Sequence, residues 1–363
     1  MQILGKTLLA VLCGLAVGGS ATMAASGVQA DGGVRPSALP EGYGLSAAYP
    51  GDVGIANSPA VVLSEDFTGD GVEALKGKWS TVETRNGKAL FLDTETPPGS
   101  AAKHSLRIVA TRGENEGGFI YKALRPGYDQ LYLRFYVKFA RDDGFHSHFA
   151  YLRGSVDPQP WPMGGAGVRP TDSWAVGVEP SMVSNQTWPF PEFDPPGIWH
   201  FYNYWPEMRS WENVDGTGTS FYGNTFEPRQ PLFAPKDKWV CVEIMVKMNS
   251  SPETADGEQA LWIDGKVVIH AGPGTPVGHW VRQFFINDEA GKPFEGFRWR
   301  KDMRAQINQV GIESYVSDSC FAATARYAGA HPGLQINTKA STVWFANVVL
   351  AKEYIGPIKP IAR

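Results

Sequence analysis

From Val61 onward the chain is a succession of short runs in which apolar and polar residues alternate, each closed by a cluster of turn-forming residues. In "LYLRFYVKF", Leu131, Leu133, Phe135, Val137 and Phe139 point one way, and Tyr132, Arg134, Tyr136 and Lys138 the other. A period of two is that of a β-strand with one face in a core and one in water. "WVCVEIMVKMN" repeats the pattern, with Val240, Val242, Ile244, Val246 and Met248 opposite Cys241, Glu243, Met245, Lys247 and Asn249. Asp264-Gly265 in "ALWIDGKVVIH" predicts a tight hairpin, because this dipeptide accepts the positive φ angles such a turn requires. Further strands are predicted at "SLRIVA", "HFAYLR", "SWAVGVEP", "INQVGIESYV" and "TVWFANVVLA". No long amphipathic helix and no fixed-period repeat stand out. The pattern predicts an all-β chain folded as a two-sheet antiparallel sandwich.

Composition supports the all-β reading: 41 Gly, 27 Pro and 12% aromatic residues suit turns and pleated surfaces better than helices. Residues 1–30 carry Lys6, the apolar run "TLLAVLCGLAVGG" and a small-residue pattern at Val28 and Ala30, the signature of a cleaved signal peptide. A secreted or periplasmic protein is therefore expected, with cleavage near Ala30. Residues 31–60 lack periodicity and read as an irregular arm, followed by one domain over 61–357. Cys241 and Cys320 remain after cleavage, and the sequence leaves open whether they pair or stay as buried thiols. The net charge of −4 and the absence of basic runs give no reason to expect a nucleic-acid or membrane partner, and a monomer is expected.

The order of "SEDFTGD...LKGKW", "W-x-x-x-E-I-x-V-K-x-N", "LWIDGK" and "VWFANVVLAKEYIGP" resembles the jelly-roll proteins of the concanavalin A-like lectin and glucanase superfamily. Around "LYLRFYVKF", "HFYNYW" and "EIMVKMN...DGEQALWIDGK" the chain is most similar to secreted polysaccharide lyases acting on alginate and glucuronan. The resemblance implies a jelly-roll β-sandwich and β-elimination on a uronic-acid polysaccharide, with no required cofactor. It also implies that the Tyr-x-Tyr pair Tyr202 and Tyr204 in "WHFYNYW" lies on a strand of the active cleft, sharing a face with His200. Beside it the resemblance would set Arg134, Tyr136, Lys138, Glu243 and Lys247, with Asn249 and Glu179, as substrate-binding groups. A structural calcium ion is a further implication, with Glu65, Asp66 and Asn347 as oxygen ligands; a solvated acidic turn is the plainer reading of those residues.

Elimination from a uronate needs a partner for the sugar carboxylate, a base for the adjacent proton and an acid for the departing oxygen. Tyr202 and Tyr204 supply phenols, His146 and His148 of "FHSHF" supply imidazoles on one strand face, and Arg169 of "GGAGVRP" supplies a guanidinium. Where the lyases carry Gly-Gly-Lys-Leu-Pro-Gly with its catalytic lysine, this chain has "FHSHFAYLRG", so a histidine takes the place of the base. Where they carry Ser-x-Arg, it has Ser173-Trp174-Ala175. The two histidines also fit a metal pair, but no third ligand is near in sequence and no metal site is assigned. Two other classes stay open. One is a non-catalytic carbohydrate-binding jelly roll using the same aromatic and cationic groups. The other is a glucanase-type hydrolase, in which Glu179, Glu207 and Glu243 are the carboxylates to pair across strands.

Overall fold

The computed structural model describes residues 38–158, 167–182 and 193–361. The expected signal peptide and the first part of the arm lie outside them. Among the described residues eighteen strands, numbered in chain order, form two sheets. One has eight strands in the order β13 (Lys266–Ala271), β12 (Glu258–Ile263), β11 (Val240–Lys247), β6 (Gln130–Phe139), β18 (Ala340–Ala351), β4 (Ser105–Thr111) and β3 (Leu90–Asp93), with β1 (Val61–Glu65) also paired to β18. The other has ten: β16 (Lys292–Pro293), β14 (Val277–Val281), β15 (Phe284–Asn287), β10 (Asn224–Phe226), β9 (Ile198–Tyr204), β8 (Ser173–Ser181), β7 (His148–Ser155), β17 (Ile307–Tyr315), β5 (Phe119–Tyr128) and β2 (Thr81–Glu83). Pairing is antiparallel except between β10 and β15. The chain is an all-β jelly-roll sandwich.

The sheets bury the faces that alternation marks as apolar. Leu131, Leu133, Phe135, Val137 and Phe139 of β6 and Val240, Val242, Ile244 and Val246 of β11 enter the main core. From the ten-stranded sheet come Leu152, Val176, Val178, Trp199, Phe201, Val310 and Ile312. Asp264 (φ 49°) and Gly265 (φ 76°) turn β12 into β13 as the dipeptide predicts.

The opposite face of β6 and β11 is covered for most of its length, with Lys247 at the end of β11 still partly exposed. Residues 38–60, wound into short 3-10 turns, and the segment after β18 lie across it: Trp262 Nε1 donates to Pro40 O at 2.7 Å, and Leu45 N to Tyr354 O at 3.0 Å. Arg134 is fully buried and pairs with Asp52 at 2.7 Å. The Tyr136 hydroxyl accepts from Ile358 N at 2.8 Å. Lys138 is buried against Glu95, with Asp237 at 3.6 Å. Arg134 and Tyr136 fasten the two covering segments to the sheet, while Lys138 is held by neighbouring loops of the sheet itself; an alternating pattern alone cannot distinguish such a face from a solvated one.

Glu243 belongs to the same layer and gives a pH prediction. Its carboxylate accepts from Ile355 N and Gly356 N, both at 2.8 Å. Burial nevertheless pushes its pKa up to about 7, against the pull of those two bonds and of Arg134. Tyr132 of β6 and Tyr354 of the covering segment also face it. A carboxyl raised in the folded state contributes most stability below its unfolded pKa and loses it as pH rises through the folded value. The wild type should therefore lose on the order of 3 kcal/mol relative to Glu243→Gln between about pH 4.5 and pH 8. Urea denaturation of both proteins across that range checks this, and parallel curves would refute it.

Among the described residues one α-helix, α1 (Asp318–Ala330), breaks the all-strand expectation. Its start is capped by Ser317, whose side chain accepts from Cys320 N, with Asp318 in the first turn. Cys320 packs there with Ala110, Val316 and Phe321. Cys241 packs instead with Tyr136, Ala346 and Ile358 under the covering segment. Both thiols are free and buried in separate clusters, so they do not form a bridge.

Candidate active site

The run "IWHFYNY" becomes β9, whose Trp199 and Phe201 face the core while His200, Tyr202 and Tyr204 face outward from the ten-stranded sheet. Antiparallel pairing with β8 sets Glu179 opposite His200, Gly177 opposite Tyr202 and Ala175 opposite Tyr204. On the other side of β8, Tyr151 of β7 lies opposite Gly177 and Arg153 opposite Ala175. β17 places Tyr315 opposite His148, with a bulge before it, and Gly311 opposite Tyr151. Two close approaches require glycine. A Cβ on Gly311 would lie 2.0 Å from Tyr151 Cζ, and one on Gly223 would lie 2.3 Å from Tyr202 Cε1.

Glu179 is the hub. One oxygen lies 3.3 Å from His148 Nδ1 and the other 3.4 Å from His200 Nε2. The His148 ring stacks on Tyr315 at 5.7 Å and 12°, and its other side approaches Tyr202 at 5.3 Å. The Tyr202 and Tyr204 hydroxyls are 3.3 Å apart. Glu313, on the β17 bulge, has Arg153 at 4.0 Å.

The electrostatics follow from this packing. Burial opposes charge on Glu179, but the bond from His148 and the close approach of His200 overcome it and hold the carboxyl below its usual range. Burial likewise opposes the His148 imidazolium, but the Glu179 bond and the charges of Glu179 and Glu313 win, so its pKa is raised. Burial lifts the Tyr202 phenol well above its usual value, reinforced by Tyr204 and Glu179, and burial also raises Tyr204. Both phenols keep their protons at neutral pH. Burial pushes the Glu313 carboxyl up, against Arg153 and His148.

The site thus gathers Tyr202, Tyr204, His148, His200 and Glu179 and leaves out the other expected groups. His146 does not share a face with His148, because the chain from Arg141 to Ser147 is irregular and β7 begins only at His148. It turns into the core, bonded to Asp143 at 3.1 Å and edge-on to Phe139 at 5.2 Å. Arg134, Tyr136 and Glu243 are under the covering segments of the other sheet, as described above, and Lys138 is on that sheet too, paired with Glu95 and Asp237. Lys247 pairs there with Glu258 at 2.7 Å, and Glu258 also holds His270 at 3.1 Å. Asn249 is fully buried, donating to Arg300 O at 2.9 Å and accepting from Arg300 N at 3.1 Å. Arg169 is exposed, its guanidinium 4.3 Å above the Phe221 ring. Glu207 pairs with Arg298 at 3.0 Å, and Glu243 lies on β11 of the other sheet from Glu179. Glu65 accepts from Phe67 N and Trp79 Nε1, Asp66 from Thr68 N, and the Asn347 oxygen from Ser100.

Four residues at the site were not singled out from the sequence: Tyr151, Arg153, Glu313 and Tyr315. The available signal was alternation, since polar groups at Gln309 and Glu313 in a strand flanked by Val310 and Ile312 mark one face. What that face meets depends on strand order.

The sequence matches no protein-family model and no curated protein. Among solved structures, the fold is similar to that of alginate lyase vAL-1 from Chlorella virus, at 13% identity and a TM-score of 0.50, over 81% of this chain and 100% of that one. A mutant of alginate lyase Aly36B in complex with alginate tetrasaccharide aligns at 12% identity and a TM-score of 0.46, over 89% and 99%. Endo-β-1,4-glucuronan lyase from the fungus Trichoderma reesei aligns at 11% identity and 0.42, over 81% and 96%. At these identities the likeness is one of fold: a jelly-roll sandwich of the kind found in alginate lyase.

Proposed function

We propose that this protein is an exported lyase that cleaves a uronic-acid polysaccharide of alginate or glucuronan type by β-elimination. The observation that carries this reading is the His148–Glu179–His200 cluster set against the Tyr202–Tyr204 hydroxyl pair on one sheet face. In the neutral imidazole, His148 Nδ1–H donates to Glu179, which leaves Nε2 to take the proton beside the sugar carboxylate. Glu179 then stabilises the imidazolium that forms, as a carboxylate does for an oriented histidine base. Tyr204, kept protonated by its raised pKa, gives its proton to the glycosidic oxygen as that bond breaks, and the Tyr202 hydroxyl beside it fixes its direction. The electron pair of the broken C–H bond becomes the new C=C bond. No water is consumed.

A second reading is favoured by one observation. Glu179 and Glu313 have pKa values displaced in opposite directions, the division of labour a glycoside hydrolase imposes on its two carboxyls. Incubating the protein with alginate, glucuronan and other acidic polymers, while following both new reducing ends and ultraviolet absorbance of unsaturated sugars, separates the two. The lyase reading expects both signals together. Reducing ends without absorbance would transfer the site to hydrolysis, and binding without either would make it a carbohydrate-binding surface.

A further inference from the structure

Along β8, the outward residues before Glu179 are small. Ala175 and Gly177 are only partly buried although they sit in the middle of a ten-stranded sheet. A Cβ built on Gly177 would meet backbone oxygens of Tyr202 and Ala150 at 3.2 and 3.9 Å, and the nearest side-chain atom is Tyr202 Cβ at 4.0 Å, so no side-chain end is packed directly over it. Tyr151 and Arg153 of β7 stand on one side of this strip, Tyr202 and Tyr204 of β9 on the other, and Glu179 with its two histidines at one end. The flanking strands are two strand spacings apart, about 9.5 Å. That is the width of a slot for one sugar ring, flanked by the Tyr202 and Tyr204 phenols on one side and by the Arg153–Tyr151 stack on the other.

Arg153 is the unusual member of the wall. Its guanidinium lies 3.5 Å above the Tyr151 ring, which is itself backed by Gly311. The side chain is only 15% exposed, and its Nε is buried without a hydrogen-bond partner. Its ion-pair partner Glu313, at 4.0 Å, is beyond hydrogen-bond length. A largely buried guanidinium whose one close anion is beyond hydrogen-bond length can still take an acceptor, and its planar fork fits a carboxylate best.

We propose that the slot over Ala175 and Gly177 seats one acidic sugar ring and that Arg153 receives its carboxylate. The assignment deepens the lyase reading and rests on it for the identity of the sugar as a uronate. The slot makes the site selective for acidic over neutral sugars.

The test measures binding of an oligouronate, and of the same oligomer with its carboxylates reduced to alcohols, by calorimetry. Tyr204→Phe serves as the background, so that turnover does not interfere. In that background the native oligomer should bind better than the reduced one, and adding Arg153→Met should weaken native binding roughly tenfold or more and erase the preference. Arg153→Lys should restore part of it, and Ala175→Leu, which fills the slot, should remove binding of both oligomers. Melting temperatures should stay within a few degrees of the parent, which separates loss of a ligand contact from loss of the fold. Unchanged affinity and preference in Arg153→Met overturn the proposal, as does failure of the parent to bind any acidic oligomer. Unsaturated product from the wild type with an unaltered KM in Arg153→Met would leave the lyase reading standing and the slot refuted. Arg153-dependent binding without any product would do the reverse.

Discussion

Tyr204→Phe is expected to lower the rate of polymer cleavage by about a hundred- to ten-thousand-fold, the usual contribution of one positioned acid, while leaving the fold intact. The substitution removes a single hydroxyl, which meets Tyr202 at 3.3 Å on an otherwise unchanged sheet face. His148→Ala should be as severe, because it removes the base that Glu179 orients. Their pH behaviour separates the roles. As base, His148 must be neutral, so kcat/KM should fall on acidification through a pH above the ordinary imidazole value, in line with its raised pKa. Glu179→Gln takes away the groups' main source of that elevation and should move the acid limb to lower pH as well as reducing the rate. The protonated phenol that Tyr204 must supply is held by burial, so the alkaline limb lies high. Unchanged rates in Tyr204→Phe and His148→Ala, measured on one polymer with equal melting temperatures, would remove both residues from the mechanism.

The largest effect on stability is expected from Asp52→Ala. Arg134 is 0% exposed, and Asp52 is its ion-pair partner at 2.7 Å; the same Asp52 oxygen accepts from Asn347 at 2.9 Å. Burial disfavours the Arg134 charge, and Asp52 leads the groups that restore and exceed it. Removing the carboxylate leaves a guanidinium in the layer between sheet and arm with no counter-charge at contact distance, a change that typically costs about 3–5 kcal/mol. Asp52 also sits at φ 65°, a strained conformation that the pairing holds in place. The double variant Asp52→Ala, Arg134→Met should recover much of the loss, since it removes the stranded charge and not only its partner. Equilibrium urea unfolding of the three proteins is the measurement. A loss below about 1 kcal/mol in Asp52→Ala would show that water, not Asp52, is the effective partner of Arg134.

Alternation in the sequence read the inward face of β6 and β11 correctly, because five apolar side chains at period two have one place to go in a sandwich. It misread the outward face. Arg134, Tyr136 and Glu243 look like the polar side of a solvated strand, and only the return of residues 38–60 and of the segment after β18 shows that they are anchors for two straps. That return depends on contacts hundreds of residues apart in sequence, which no local pattern contains. "FHSHF" failed for a local reason: the strand begins at His148, so the period of two does not extend back to His146. α1 escaped because its alanines, serine and glycine give no strong apolar stripe, although Ser317 and Asp318 carried the start signal. "WHFYNYW" was the most legible part of the site, since alternation alone places His200, Tyr202 and Tyr204 together. Arg153 was invisible for the opposite reason. Its place at the site comes from register, which puts it directly across from Ala175 on the neighbouring strand.

Mass spectrometry of the products formed from one defined oligouronate tests the central claim most directly. β-Elimination divides the chain without adding water, so the masses of the two fragments should sum to that of the substrate, with the new non-reducing end unsaturated. Fragments that together exceed the substrate by one water per cleavage, each with a saturated end, would contradict the account and assign the Glu179 and Glu313 carboxyls to hydrolysis.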